Sequence, residues 1–392
     1  MTPIAVALLL PVTLAVYAYA IYPALLWLIA GAGAPQRARR GAGAPTITIV
    51  VPAYNEEAQI AGVIEALLAQ DYPEDRRQIL IVSDASTDRT DEIAAGYAPR
   101  GVELLRMERR TGKTAAENAS VERIRGEIVV NTDASARLDS QAVGLLVDAM
   151  SDPTVGVASS RDVSMGAEDA ERNRAEAGYV GYEMRVRRLE TRAGGIVGAS
   201  GSGYAIRAEL HRHSVREDLS RDFSAALTAR RHGFRAVSVD DAICVVPRTG
   251  SLAREYRRKV RTISRGMDTL YFNRDLLNPQ RHGLFAWKML SHKLARWLVP
   301  LSSIPAGAGL VLLALRNPIA WIAVAAGVAI ALLAVAGARW PDDRRLPRWM
   351  PAAIVGALAA NLAVVHAAWR FLHGHHDHVW EPTRRAVGGS TA

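Results

Sequence analysis

Carboxylates at the ends of apolar runs carry the first chemical signal in this chain. Asp133 closes EIVVNTD (Glu127 to Asp133). A carboxylate there can hold a hard divalent ion against a diphosphate, because Mg2+ sites typically use one or two carboxylates plus phosphate oxygens. Ser135 could add an oxygen, directly or through water; an Asp after an apolar strand is otherwise a common turn residue. Asp84 closes QILIVSD inside SDASTD, where it can accept from a base edge or a ribose hydroxyl, or else serve as a capping turn aspartate. Lys113 follows Gly112 at an expected helix start, either close to phosphates or simply solvated. The Walker A spacing is absent around it, which argues against P-loop nucleotide hydrolysis. Asp222 lies near a helix N-terminus, where the dipole favours the ionised form. It is the candidate general base, although in isolation it reads as an ordinary first-turn acid.

The elements that must position these groups follow from hydrophobic patterning. TITIVVPAYNEE (Thr46 to Glu57) reads as a buried strand, a loop and a helix starting near Asn55. Strand-like QILIVSD, VELLRM (Val102 to Met107) and EIVVNTD each precede a helical segment. Four such units predict an α/β domain with a mostly parallel, helix-covered sheet, and they place Asn55, Asp84, Lys113 and Asp133 on one rim. Glu168 to Arg192 reads as a long charged helix. GASGSGYAIR (Gly198 to Arg207) reads as flexible and then strand-like, and Asp218 to Val237 as a helix followed by a strand.

Of 392 residues, 49% are hydrophobic, and they crowd the two ends of the chain. Pro3 to Ala30 carries no charged side chain and is followed by Arg37, Arg39 and Arg40. That order predicts a transmembrane helix over 1–32 with a cytoplasmic domain after it. Leu252 to Leu270 is a basic amphipathic helix. Residues 284–297 mix Trp287 and Trp297 with Lys288, Lys293 and Arg296, as an interfacial helix does. Leu298 to Leu315, Ile319 to Ala338 and Pro351 to Trp369 are the C-terminal membrane candidates, with Pro300 and Pro305 leaving the first open to a re-entrant path. The expected organisation is a membrane helix over 1–32, a catalytic domain over 45–275, the interfacial helix, membrane segments over 298–372 and a tail over 373–392. A multi-pass protein of a bacterial inner membrane is the expected setting. The net charge of +9 lies beside the apolar segments, which argues for lipid headgroups as the partner and against nucleic acid. Cys244 is the one cysteine, so no internal disulfide can form, and it is expected as a small buried residue. The HGHHDH tail reads as a solvated segment before a metal site.

TITIVVPAYNEE, SDASTD, Gly112-Lys113, NTDAS, GASGSG and Arg221-Asp222-Phe223 occur in the order found in family 2 glycosyltransferases. Over about Thr46 to Gly266 the chain resembles the membrane-bound branch with cellulose, hyaluronan and poly-N-acetylglucosamine synthases. The resemblance implies a GT-A fold and inverting transfer from a nucleotide sugar, most often a UDP-sugar, with Mg2+ or Mn2+. The acceptor would be a glycan or a lipid-linked acceptor, in cell-surface polysaccharide or glycolipid synthesis. It also implies that Ala53, Tyr54, Glu56 and Asp84 contact the nucleoside and Lys113 the ribose or phosphates. Asp133 corresponds to the first metal-binding acid of D-x-D, and Asp222 to the base. The sequence departs from the family pattern at Ser135, which replaces the second acid, and at Arg221, which replaces the acid before the base and is expected to help hold Asp222 ionised. It departs again in Arg258-Lys259-Val260-Arg261-Thr262, which stands where processive synthases carry Q-x-x-R-W. Arg258 and Arg261 remain candidate diphosphate partners, but the acceptor-stacking tryptophan is missing, so single transfer is expected over long-chain synthesis. A processive synthase with its own channel and a non-catalytic scaffold are the alternatives. WEPTRR (Trp380 to Arg385) resembles a tail motif of some of these enzymes.

Overall fold

A computed structural model describes residues 2–31, 43–165, 170–247, 251–340 and 352–375. The chain divides into two units: one of Met1–Gly31, Asp169–Glu176 and Thr249–His376, the other of the remainder, including every strand among the described residues.

The second unit is built on an eight-stranded mixed sheet. Its strands are β1 (Ile47–Ala53), β2 (Arg77–Ser83), β3 (Val102–Arg106), β4 (Ile128–Thr132), β5 (Arg137–Leu138), β6 (Val155–Met165), β7 (Gly203–Arg207) and β8 (Arg235–Pro247), in the order β3-β2-β1-β4-β7-β6-β8-β5. The first four in that order are parallel and are the strands expected from the pattern; β7 then runs antiparallel to both β4 and β6. β1 pairs with β2 along its whole length, from Ile47 opposite Arg77 to Ala53 opposite Ser83. All seven β1 residues are buried because helices cover both faces. Ile47, Ile49 and Val51 join Ile79, Ile81 and Val130 on one face, while Val50 joins Leu80, Val82 and Val129 on the other. This is the two-residue period of a strand expressed as two cores. The helix Ile60–Leu68 seals the first core with Ile60, Val63, Ile64 and Leu67, each contributing roughly 2 kcal/mol by burial. Cutting Ile64 to alanine would cost about 2–5 kcal/mol.

That helix starts at Ile60 and not near Asn55. Asn55 has a positive φ of 52°, a left-handed conformation that Asn tolerates and a helix does not. Its side chain is committed across the loop: Thr87 N donates to Asn55 Oδ1 at 2.8 Å, and Asn55 Nδ2 donates to Thr87 Oγ1 at 3.1 Å. β6 was not legible in the sequence, because Ser159-Ser160-Arg161-Asp162 reads as polar loop, yet Ser159 and Ser160 are fully buried between β7 and β8.

Among the described residues of the first unit, four helices are long and apolar enough to cross a membrane: Pro3–Ala30, Leu284–Ala314, Ala320–Ala338 and Ile354–Leu372. The second joins the expected interfacial helix and the following apolar segment into one run, interrupted only at Ser302 after Pro300. Their apolar side chains face outward, with Ile322 73% and Leu372 78% exposed, surface that a hydrocarbon environment would cover. His373 and His375 pack on the Trp369 ring at 4.6 and 5.6 Å between centroids. His376, His378, WEPTRR and Arg37 to Arg40 lie outside the described residues.

Candidate active site

β1, β2 and β4 are neighbouring parallel strands, so Tyr54, Asp84 and Asp133 leave the sheet on one carboxyl edge, as expected. Asp84 is 2% exposed and spends its carboxylate on a neighbouring loop. Thr111 N donates to Oδ1 at 2.7 Å and Gly112 N to Oδ2 at 2.8 Å. Gly112, with φ 101°, then turns the chain into the helix Lys113–Ala119, a geometry that an L side chain would strain. Asp84 therefore fixes the loop that presents Lys113.

Lys113 Nζ donates to Asp133 Oδ1 at 2.5 Å and to the Gly201 carbonyl at 3.1 Å, and lies 3.9 Å from Glu117 Oε1. Burial opposes its charge, but Asp133, Glu117 and Asp222 together raise the ammonium above the usual lysine range. Asp222, in the first turn of the helix Arg221–Arg231, accepts from Ser220 Oγ at 2.5 Å through Oδ1. Its Oδ2 would lie 3.2 Å from a Cβ placed on Gly201, and Lys113 Nζ 3.7 Å from the same point. Lys113, Asp133 and Asp222 thus converge across Gly201. The loop around that glycine is pinned where the sequence suggested flexibility. Ser200 Oγ donates to Asp162 Oδ2 at 2.5 Å, Arg187 Nη2 to the Gly198 carbonyl at 3.0 Å, and Thr132 Oγ1 to the Ser202 carbonyl at 2.8 Å. Cys244 is fully buried, as expected.

Tyr54 lies under the Arg110 guanidinium, 3.9 Å from ring centroid to Cζ. Ala53 O accepts from Asp84 N at 2.8 Å, and Glu56, 4% exposed, has its backbone N–H on Thr90 Oγ1 at 2.8 Å. Ser135 is buried in the turn after Asp133, where Ala136 N donates to the Asp133 carbonyl at 3.0 Å. Arg258 and Arg261 belong to the other unit, on the helix Leu252–Phe272, where Arg258 forks onto Glu255 at 2.9 and 2.7 Å.

A divalent ion fits these donors. Among the described residues no three His, Cys, Asp or Glu side chains gather as a protein-only metal cage. Asp133 offers a single carboxylate that already attracts a cation. Asn131, in β4 two residues before Asp133, is 1% exposed with neither end of its amide hydrogen-bonded. A hard ion that takes most of its oxygens from a ligand and water suits this set.

Residues 48–214 match the family described as Glycosyl transferase family 2. They form a family 2 glycosyltransferase domain. The chain is similar to curated proteins as well. It is 25% identical over 283 residues to a beta-monoglucosyldiacylglycerol synthase from a Nostoc species, covering 67% of this chain and 58% of that protein. It is 34% identical over 110 residues to a dolichyl-phosphate beta-glucosyltransferase from Trichomonas vaginalis, covering 26% of this chain and 33% of that one. The chain therefore spans about half the length or less of these relatives. A solved mannosyltransferase from Pyrobaculum calidifontis superposes with a TM-score of 0.68 at 24% identity, covering 95% of this chain and 99% of that one, a likeness in fold. The fold is GT-A.

Sequence reasoning missed what lies behind the transferase site. Arg221 is buried, at 4% exposure, as is Glu117 at 1%, with Nε 3.9 Å from Glu117 Oε2. Arg221 also donates to the His211 carbonyl at 2.6 Å and closely to Asn118 Oδ1. Its guanidinium is thus engaged by Glu117, Asn118 and His211 and makes no ion pair with Asp222, contrary to the role expected of it. Burial raises the Glu117 carboxyl above its usual range, against the pull of Lys113 and Arg221. Burial likewise pushes the Tyr204 hydroxyl well up and the His211 imidazole well down. Asp162 is raised by burial too, against hydrogen bonding from Ser200. Glu117, four residues after Lys113 on one helix, was the available signal: that spacing puts both on one face.

Proposed function

We propose that the protein is a membrane-bound inverting glycosyltransferase that uses a nucleotide diphosphate sugar and a lipid or lipid-linked acceptor. The convergence of Lys113, Asp133 and Asp222 across Gly201 carries this reading. Asp222 Oδ2 takes the proton of an acceptor hydroxyl as its oxygen bonds to the anomeric carbon. The bond from that carbon to the diphosphate oxygen breaks on the opposite face, and the diphosphate leaves with the electron pair. One displacement inverts the centre. Lys113, held charged, faces the developing negative charge. Asp133 and Ser135 would hold Mg2+ or Mn2+, which supplies further neutralisation of the diphosphate when bound. Tyr54 and Arg110, with Ala53, Glu56 and Asp84, form the wall proposed for the nucleoside.

The two relatives named for lipid glycosides or lipid phosphates, together with four apolar helices, support a lipid acceptor in a membrane. A multi-pass location in an inner membrane, with the transferase domain cytoplasmic, goes with that reading. The family resemblance implies UDP as the donor nucleotide, whereas the Pyrobaculum enzyme was solved in complex with GDP-Man and Mn2+, so the test includes both. Purified protein in lipid is assayed for nucleotide release and for the anomer formed, across UDP- and GDP-sugars with Mn2+. Asp222→Asn should abolish transfer while donor binding persists; undiminished transfer, or a retained anomer, would sink the mechanism.

A further inference from the structure

The lysine proposed to face the diphosphate rests on the carboxylate that the proposed metal ion needs. Lys113 Nζ donates to Asp133 Oδ1 at 2.5 Å and to the Gly201 carbonyl at 3.1 Å. A divalent ion on the same carboxylate brings two cations within about 5 Å of each other, where a low dielectric makes like charges repel strongly. Lys113 must therefore give up Asp133 when the ion binds, and its charge then needs a second partner within reach.

Glu117 meets that need. It lies one helical turn after Lys113, on the same face of the helix Lys113–Ala119. Its Oε1 is 3.9 Å from Lys113 Nζ, too far for a hydrogen bond, and neither of its buried oxygens accepts one. A buried carboxylate left in that state is costly. The Arg221 guanidinium does not fill the place: its Nε also stands 3.9 Å off, while the group donates to Asn118 and to the His211 carbonyl. Asp222 is a poorer partner for the lysine, since it already accepts from Ser220 Oγ at 2.5 Å and needs its other oxygen open as the base.

Exposure sets the direction of the movement. The Asp133 side chain is 23% exposed and that of Glu117 1%. An ion arriving from solvent thus meets Asp133, and the lysine is left to retreat inward. An ammonium has three donors. One is on Asp133 and one on Gly201, whose loop is held by the bond from Ser200 to Asp162 at 2.5 Å. A shift of Nζ by about 1 Å, pivoting on the Gly201 carbonyl, closes the gap to Glu117.

We infer that Glu117 is a positioning residue, the second seat to which Lys113 moves when a divalent ion takes Asp133. Seated there, the lysine keeps Gly201 and turns its third donor toward the diphosphate. The inference rests on the reading of Asp133 as the metal-binding acid.

Binding of Mn2+ alone to the full chain in phosphatidylcholine nanodiscs, read by the electron paramagnetic resonance of the free ion, tests it without turnover. Glu117→Gln should weaken Mn2+ about tenfold, because the lysine then stays on Asp133 and the competent fraction falls. Lys113→Met should tighten Mn2+ about tenfold by removing the competitor. Adding Glu117→Gln to Lys113→Met should change affinity by less than about threefold, since Glu117 acts through the lysine. An equal loss in both backgrounds would make Glu117 no more than a nearby charge and overturn the inference, as would Lys113→Met binding no tighter than wild type. A crystal structure of the wild type with Mn2+ needs no variant to fold. In it Nζ should lie about 3 Å from a Glu117 oxygen, and Nζ still on Asp133, or moved to Asp222, overturns the second seat. Mn2+ binding that survives Asp133→Asn, or no binding at all, would instead overturn the reading of Asp133, and the inference with it.

Discussion

Replacing Arg221 with methionine should cripple transfer although Arg221 is not proposed to touch substrate. At 3.9 Å from Glu117, an opposite charge is worth about 4 kcal/mol at an effective dielectric of 20. Removing one member of a buried pair typically costs about 3–5 kcal/mol, because the survivor is left buried and uncompensated. Glu117 would then either take up a proton or compete harder for Lys113, which is 3.9 Å away and engaged with Asp133. Either outcome disturbs the lysine proposed to face the diphosphate. Arg221→Met and Glu117→Gln should each lower kcat/KM by about 100-fold, some 3 kcal/mol of transition-state stabilisation. The double variant, which removes both charges together, should recover to within about tenfold of wild type. The assay is steady-state transfer on the four proteins of the cycle, with unfolding midpoints read by tryptophan fluorescence as a control. Additive losses, with the double variant worst, would show that the two residues do not act as a pair.

Gly201→Ala should lower kcat about tenfold or more while donor Kd stays within about twofold, since its Cβ would crowd Asp222 Oδ2 at 3.2 Å; an unchanged kcat counts against Asp222 as the base. Lys113→Met should weaken nucleotide-sugar binding about tenfold or more in calorimetry, because a charge-assisted contact to phosphate is lost. The Tyr72 hydroxyl, pushed up to about 12 chiefly by burial, donates to the Pro45 carbonyl at 2.5 Å. A raised folded value means this contribution is whole below about pH 10, the unfolded value, and is lost as pH rises through about 12. Alkaline unfolding curves should show that slope in the wild type and lose it in Tyr72→Phe.

How far the sequence spoke depended on the kind of interaction. The strands β1, β2, β3 and β4 were legible because apolar runs closed by turn residues describe a strand buried on both faces. Asp84 and Asp133 were placed on the right edge by the same rule. β6 escaped because its buried Ser159 and Ser160 are satisfied by tertiary partners, Arg187 and the Gly203 carbonyl, that no local pattern reveals. The helix start was misread at Asn55 because Asn followed by two acids has the composition of an N-cap and first helical turn, whereas Asn55 adopts a left-handed turn. The part played by Arg221 was invisible for a similar reason: its partners Glu117 and Asn118 lie about a hundred residues earlier in the chain.

The salt-bridged lysine bears on what can enter the pocket. Around Lys113 and Arg221, two cations face the three carboxylates of Asp133, Glu117 and Asp222, so the resting site is already within one charge of closed. A diphosphate arriving with its divalent counter-ion leaves that balance as it was. Bare diphosphate would add two uncompensated negative charges to a pocket of low dielectric, where each is expensive. On the proposed reading the pocket would take the diphosphate together with its counter-ion, and free nucleotide, stripped of that ion, should be a poor inhibitor.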